Sequence, residues 1–134
     1  LQHRMSEQQE LSRLTTGTHA VALARTGGEV VVVREDVGRH NAMDKVIGYA
    51  MAHGIDCRDC VALLSGRISF EMVQKAVSVR IPMVAAISAA TSLAVDLAER
   101  LNCTLVGRLR DRNMVIYTHP ERVKGKYSPE KRVP

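Results

Sequence analysis

VALLSGRISFEMVQKAVSVRIPMVAAISAATSLAVDLAERL, residues Val61–Leu101, reads as strand, helix, strand, helix. Val61 to Leu64 is a short apolar run of the kind a buried strand carries, and Phe70, Val73 and Val77 then recur at helical spacing. Pro82 cannot continue that helix, so Met83 to Ile87 starts a second buried strand. Ala94, Leu97, Ala98 and Leu101 mark the next helical face. Strands that alternate with helices imply parallel pairing with crossovers packed on the sheet, which makes this an α/β layered fold.

The flanks extend that frame. Ser6 with Gln9 forms a capping-box pattern, which predicts a short opening helix to about Leu14. His19–Ala24 and Glu29–Arg34 are strand-like runs around Arg25, Thr26, Gly27 and Gly28, so a β-hairpin is expected. Met43, Val46, Ile47 and Ala50 place a helix at about Asn41–His53, closed by Gly54. Thr104–Leu109 and Met114–Thr118 are expected as closing strands joined by the charged turn Arg110, Asp111, Arg112 and Asn113. The expected organisation is a lead-in helix or linker over 1–15, one α/β domain with a mixed sheet over 16–120, and a basic tail over 121–134.

Composition narrows the function classes. A chain of 134 residues, 46% of them hydrophobic, supports one core rather than two domains. No apolar run approaches the roughly 20 residues of a membrane span, and residues 1–20 lack a signal-peptide pattern. A soluble cytoplasmic protein without a membrane partner is therefore expected. Leu1 is not an initiator methionine, and the polar opening LQHRMSEQQE fits a start inside a longer polypeptide. The formal charge of +5 is concentrated at the end: Arg122, Lys124, Lys126, Lys131 and Arg132 face Glu121 and Glu130, a net of +3. Aromatics are only 3%, with no Trp, so the broad basic and stacking face of a nucleic-acid binder is missing.

Three junctions carry the chemistry: Asp36–Lys45 (DVGRHNAMDK), Ser65–Phe70 (SGRISF) and Ser88–Ser92 (SAATS). Each falls where a strand is expected to meet a helix. Helix N-termini expose unpaired N–H groups and a partial positive charge, and ligands of open sheets bind beyond the carboxyl ends of parallel strands. Arg39, His40, Lys45 and Arg67 add cationic donors there, and Arg108, Arg110 and Arg112 add three near the closing hairpin, opposed nearby only by Asp111. Arginine suits bidentate phosphate contact, and Gly66 permits close approach to the backbone. Taken singly, the same residues serve local structure: Ser69, Thr91 and Ser92 as helix caps, Ser65 with Gly66 as a tight turn, and Arg39, His40 and Asn41 as a solvated turn. Jointly they describe an edge suited to a phosphate-rich ligand.

DVGRHNAMDKVIG, SGRISFEMVQKA, IPMVAAISAATSLAVDLAE and the closing VIYTHPER together resemble the FdhD family of formate dehydrogenase accessory proteins, which are sulfur carriers. TTGTHAVAL at 15–23 resembles the family's TGG-[VT]-HAAAL stretch, with Thr16 in place of the first glycine. The resemblance runs from about Leu11 to Arg122. It implies a cytidine-deaminase-like three-layer sandwich and a homodimer. The implied activity takes persulfide sulfur from a cysteine desulfurase and passes it to a molybdenum bis(guanine dinucleotide) cofactor, which formate dehydrogenase requires. GDP or GTP would be partial mimics of that ligand. Cofactor contacts are implied for His19, Arg39, His40, Asn41, Lys45, Ser65, Gly66, Arg67, Ser69, Ser88, Thr91 and Ser92. The stretch Arg108, Leu109, Arg110, Asp111, Arg112 and Asn113 matches the family's C-terminal cofactor-binding segment.

The cysteines do not fit the sulfur-bearing role. Their odd number, three, without a secretion signal argues for a reducing compartment. Cys103, at an expected strand start, reads as a buried small hydrophobe. Cys57 and Cys60 form a C-x-x-C, but the family's sulfur-bearing pair lies before the TGG-HAAAL motif. They read as exposed thiols on a surface loop, with the persulfide cysteine outside these residues, so no catalytic residue is assigned. Zinc is not expected, because no second ligand pair accompanies them. A zinc deaminase needs H-x-E and P-C-x-x-C, whereas His40-Asn41-Ala42 lacks the glutamate and Ser65–Ser69 lacks cysteine. The alternative that remains is a noncatalytic guanine-nucleotide-binding or dimerisation scaffold.

Overall fold

The computed structural model describes residues 1–7, 17–111 and 113–125. Six strands form one sheet: β1 (His19–Arg25), β2 (Val30–Asp36), β3 (Cys60–Leu64), β4 (Met83–Ala86), β5 (Thr104–Gly107) and β6 (Val115–Ile116). The order is β2-β1-β3-β4-β5-β6. β3, β4 and β5 run parallel, while β1, β2 and β6 pair antiparallel to their neighbours. The expected hairpin is present and turns through Arg25 N–H to Glu29 C=O (2.8 Å) and Gly28 N–H to Arg25 C=O (2.9 Å), with Gly28 at φ 99°. Every residue of β3 is buried, because helices cover one face and other apolar side chains the second.

Four helices are described: α1 (Gln2–Glu7), α2 (Arg39–Ala52), α3 (Phe70–Ser78) and α4 (Ser92–Arg100). The last three cover one face. Ala42, Met43, Val46 and Ala50 of α2, Met72, Val73 and Ala76 of α3, and Ala94 and Ala98 of α4 pack with Leu23, Ala62, Leu64, Val84 and Leu105 of the sheet. Within α3 the expected face turns slightly: Phe70 and Val77 are half-buried, and Met72 and Ala76 join Val73 inside. In α4 the end of the expected stripe, Leu101, is exposed. α1 lies on the other face, where Met5 is buried with Ala20, Ala22, Val33, Leu63, Ala85 and Val106. The architecture is α/β with a mixed sheet between two helical layers, the second represented among the described residues by α1.

The opening helix departs from its capping-box reading. Ser6 lies inside α1 and its hydroxyl donates to Gln2 C=O (3.1 Å), a back-bond within the helix. Gln9–Leu14 lie outside the described residues. α2, α3 and α4 stop in the same way: Ile55 N–H reaches Ala50 C=O, Ile81 reaches Ala76 and Cys103 reaches Ala98, at 2.9 to 3.0 Å. Each closure needs a left-handed residue before it, and these are Gly54 (φ 60°), Arg80 (65°) and Asn102 (57°).

The final stretch clasps β5. Thr118 Oγ1, fully buried, donates to Cys103 C=O (2.7 Å) and accepts from Leu105 N–H (2.8 Å). Thr104 Oγ1 donates to His119 C=O (2.9 Å) and accepts from Arg122 Nη1 (3.0 Å). Val123 packs on the second face. The domain's contacts therefore continue to Val123, inside the stretch assigned to the basic tail. Replacing Thr118 with Val keeps the shape but orphans a buried donor and acceptor. It should cost about 1 to 3 kcal/mol in urea unfolding, and an unchanged midpoint would contradict the clasp.

Candidate functional site

Parallel pairing puts the carboxyl ends of β3, β4 and β5 on one edge, and the antiparallel hairpin brings the start of β1 and the end of β2 to the same edge. The three junctions therefore meet there. The loops after β3 and β4 are stitched twice. Ile87 N–H donates to Leu64 C=O (3.1 Å), and beyond the separating residues Ile68 N–H donates to Ala89 C=O (3.1 Å) while Thr91 N–H donates to Ile68 C=O (3.0 Å). Ile68 and Ala90 form a parallel bridge outside the strands. This pairing fixes the starts of α3 and α4 relative to each other.

Three predicted residues, Gly66, His19 and Arg39, meet at the centre. Gly66 faces His19 so closely that a Cβ would lie 3.1 Å from His19 Nδ1, with Arg39 Cδ 3.9 Å away. Arg39 opens α2, and its Nε is buried without a hydrogen-bond partner among the described residues. Ser69, the N-cap of α3, is buried and makes no side-chain cap bond. Its Oγ has no partner of good geometry, although Glu71, held below the usual carboxylate range first by its own backbone N–H, also feels Ser69. Native proteins rarely leave buried donors unused, which singles out Arg39 Nε among the described residues. His40 is half-buried in the first turn of α2, and Arg67 is exposed between Gly66 and Ile68.

Other predicted residues are occupied by the fold. Ser65 Oγ accepts from Ala20 N–H (2.9 Å) and its N–H donates to Ala20 C=O (3.0 Å), splicing β3 to β1. Thr91 caps α4 through Ala94 N–H (3.2 Å), beside the exposed Ser92. Ser88 uses its carbonyl to accept Arg108 N–H (2.9 Å). Leu109 is half-buried against the second-face core. Arg108, Arg110 and Asn113 line an open cavity of about 340 Å³ with Met114 and Val115. Asp111 is exposed beside it, and Arg110 N–H to Asn113 C=O (2.8 Å) closes the turn. Arg112 lies outside the described residues.

Asp36 is the residue that sequence reasoning left out of the site. Its carboxylate takes Lys45 Nζ (2.8 Å), Gly38 N–H (2.9 Å) and Asn41 Nδ2 (3.3 Å), and Lys45 also donates to Glu35 C=O (2.8 Å). Lys45 and Asn41 thus brace the start of α2 through Asp36. The signal was available: an Asp two residues before Gly38, at the end of a strand, is a familiar turn acceptor. Lys45 first, then Gly38 N–H, hold the Asp36 carboxyl at about 2 instead of 3.8. A depressed folded-state value stabilises the fold above the unfolded value and fades as pH falls through the folded one. Stability should therefore drop between the ordinary 3.8 and about 2, and Asp36→Asn should flatten that limb in pH-dependent melting. Asp56, held at about 2 by Arg58, contributes with the same sign, so the limb should shrink without vanishing.

The C-x-x-C is not the exposed loop pair expected. Cys57 and Cys60 flank a short 3₁₀ turn with both side chains in the core, while Arg58 pairs outward with Asp56 (2.7 Å) and Arg25 with Asp59 (2.7 Å). Burial raises the Cys57 thiol and pushes Cys60 up to about 11. Cys103 is buried before β5, as expected, and is also pushed to about 11. Thiolate is the reactive form, so native protein at about pH 7 should not label with a disulfide reagent, and denaturant should release all three thiols. Rapid native labelling of Cys57 or Cys60 would reverse that conclusion. Among the described residues, no three His, Cys, Asp or Glu side chains converge as a metal site requires. No described helix is long and apolar enough to cross a membrane.

Comparison with known proteins places these features. The chain is 51% identical over 122 residues to the sulfur carrier protein FdhD of Mycolicibacterium paratuberculosis, covering 90% of this chain and 45% of that protein. It is 46% identical over 124 residues to the sulfur carrier protein FdhD of Sulfurisphaera tokodaii, covering 92% and 49%. It thus spans about half the length of these curated relatives. A crystal structure of a protein described as a formate dehydrogenase accessory protein, from Desulfotalea psychrophila, superposes with a TM-score of 0.84 at 31% identity, covering 91% of this chain and 52% of that one. The FdhD/NarQ family model matches residues 1–124, and the chain belongs to that family.

Proposed function

We propose that this domain is the cofactor-holding part of a cytoplasmic sulfur carrier. Its cargo is a molybdenum bis(guanine dinucleotide) cofactor, to which sulfur from a cysteine desulfurase is passed for use by formate dehydrogenase. The observation that carries this reading is the unused buried donor of Arg39 beside Gly66 and His19, at an edge where three helices begin. An arginine Nε without an acceptor there, with glycine opening the backbone, suits a pyrophosphate. Arg108 and Arg110 extend the cationic surface along the same edge toward β6. Names borne by the relatives supply the sulfur-carrier role, and the anionic, hydrogen-bond-rich cargo matches the edge's chemistry.

Binding and sulfur chemistry separate in this reading. The three thiols are buried and raised in pKa, so this reading assigns the persulfide to none of them. A homodimer, implied by the family resemblance, is checked by sedimentation. Calorimetric titration with GDP, GTP and ATP should give guanine-selective binding. Arg67→Ala and Arg110→Ala should each weaken GDP about tenfold to a hundredfold, the usual worth of a charge-assisted hydrogen bond, with melting unchanged. Unchanged affinity in both variants would refute the assignment. Incubation with a cysteine desulfurase and labelled cysteine should leave the intact mass unaltered; sulfur on Cys57 or Cys60 would move the chemistry into this domain.

A further inference from the structure

Among the described residues, four other than glycine hold positive φ: Arg80, Asn102, Arg108 (51°) and His119 (43°). Arg80 and Asn102 close helices. His119 is pinned before the Pro120–Arg122 3₁₀ turn, with its ring nitrogen 3.0 Å from Glu99 C=O and its own carbonyl bonded by Thr104. Arg108 closes no helix. Glycine would adopt its conformation freely, whereas a side chain there is strained, and strain of this kind persists where the surroundings enforce it.

The enforcement is visible one residue earlier. A Cβ on Gly107 would lie 2.7 Å from Tyr117 Cε2 and 3.0 Å from Ser88 C=O, so the ring and the carbonyl fill the space a side chain would take. Tyr117 stands diagonally across from Gly107, because Gly107 pairs with Val115 and Tyr117 N–H donates to Leu105 C=O (2.8 Å). Beyond the slot, Arg108 N–H is held by Ser88 C=O (2.9 Å) and Leu109 N–H by Ala86 C=O (3.2 Å). The backbone can turn at Arg108 only by leaving the line of the strand, and its side chain then lines the cavity shared with Arg110 and Asn113.

We propose that Tyr117 is a positioning residue for anion binding: packed over Gly107, its ring holds the chain against Ser88 and keeps Arg108 in the strained turn that presents its guanidinium to the nucleotide phosphates. The proposal rests on the nucleotide-binding reading above. Tyr117 acts through Arg108, so the two must be coupled. A tyrosine that merely stabilised the domain would have effects independent of Arg108.

The test is a double-mutant cycle with GDP as the probe, using calorimetry, thermal melting and hydrogen exchange of the Arg108 amide. Arg108→Gly relieves the strain, so its melting temperature should not fall, while GDP affinity should drop about tenfold. Tyr117→Leu should weaken GDP about threefold to tenfold in the Arg108 background, speed exchange at Arg108, and change affinity less than about twofold on top of Arg108→Gly. Tyr117→Phe keeps the ring and should bind like the wild type. Should Tyr117→Leu fold poorly, Tyr117→Met, which keeps apolar bulk but not the flat ring, should show the same pattern. Equal losses from Tyr117→Leu in both backgrounds, or no loss in the first, would overturn the positioning role while leaving nucleotide binding intact. Failure of the wild type to bind GDP would instead remove the functional reading and the positioning role with it.

Discussion

The parallel register of three central strands governs everything else in this domain. Leu64 pairs with Ala86 and Val84 with Leu105, so the strands leave the core at one edge and every crossover helix must begin there. Helices on one face and a second apolar cluster on the other keep that register dry, and a slip by one residue would exchange the two sets of side chains. Polar groups gathered at the edge thus owe their proximity to backbone pairing several residues away. Strand direction explains how His19 and Gly66, distant in sequence, come into contact, and why Arg108 leaves β5 at the same edge.

Much of this was legible in the chain. Apolar runs and helical periodicities located the strands and the three larger helices to within a residue or two at most ends, and Gly54 announced its helix end because glycine is the common left-handed residue. Arg80 does the same work without that signal, and Asn102 with a weaker one, so the equivalence of the three closures was not legible. At the site, the junctions were readable as groups while their division of labour was not. Lys45, Asn41, Ser65 and Thr91 carry the right chemistry for a ligand but are drawn into local bonds, and only three-dimensional accounting separates them from Arg39. The C-x-x-C misled in a related way: its charged neighbours suggested exposure, yet Arg58, Asp56 and Asp59 point outward while both sulfurs turn in. Alternating direction in a tight turn is a matter of backbone angles, which flanking charges do not report.

Electrostatics divide the molecule along the same lines. Asp36 near the edge is engaged by Lys45 and the start of its own helix, while Arg39 Nε has no hydrogen-bond acceptor among the described residues. A buried donor left this way is costly to the domain alone, and an anion bound there would gain its hydrogen bond without first displacing another acceptor. The thiols show the opposite economy. Burial keeps them protonated and out of reach, which removes them from thiol–disulfide exchange in the folded domain.

The short pairing between Ile68 and Ala90 has a dynamic consequence. Because that bridge rejoins the two loops after they separate, the first turns of α3 and α4 cannot drift independently; displacement of one drags the other through a backbone hydrogen bond. The ordering of both helix starts is completed when the chain folds, and a ligand that touches either finds its neighbour already set. The first turns of α3 and α4 therefore move as one backbone unit, and a ligand that touched both would meet a single preset surface rather than two hinged halves.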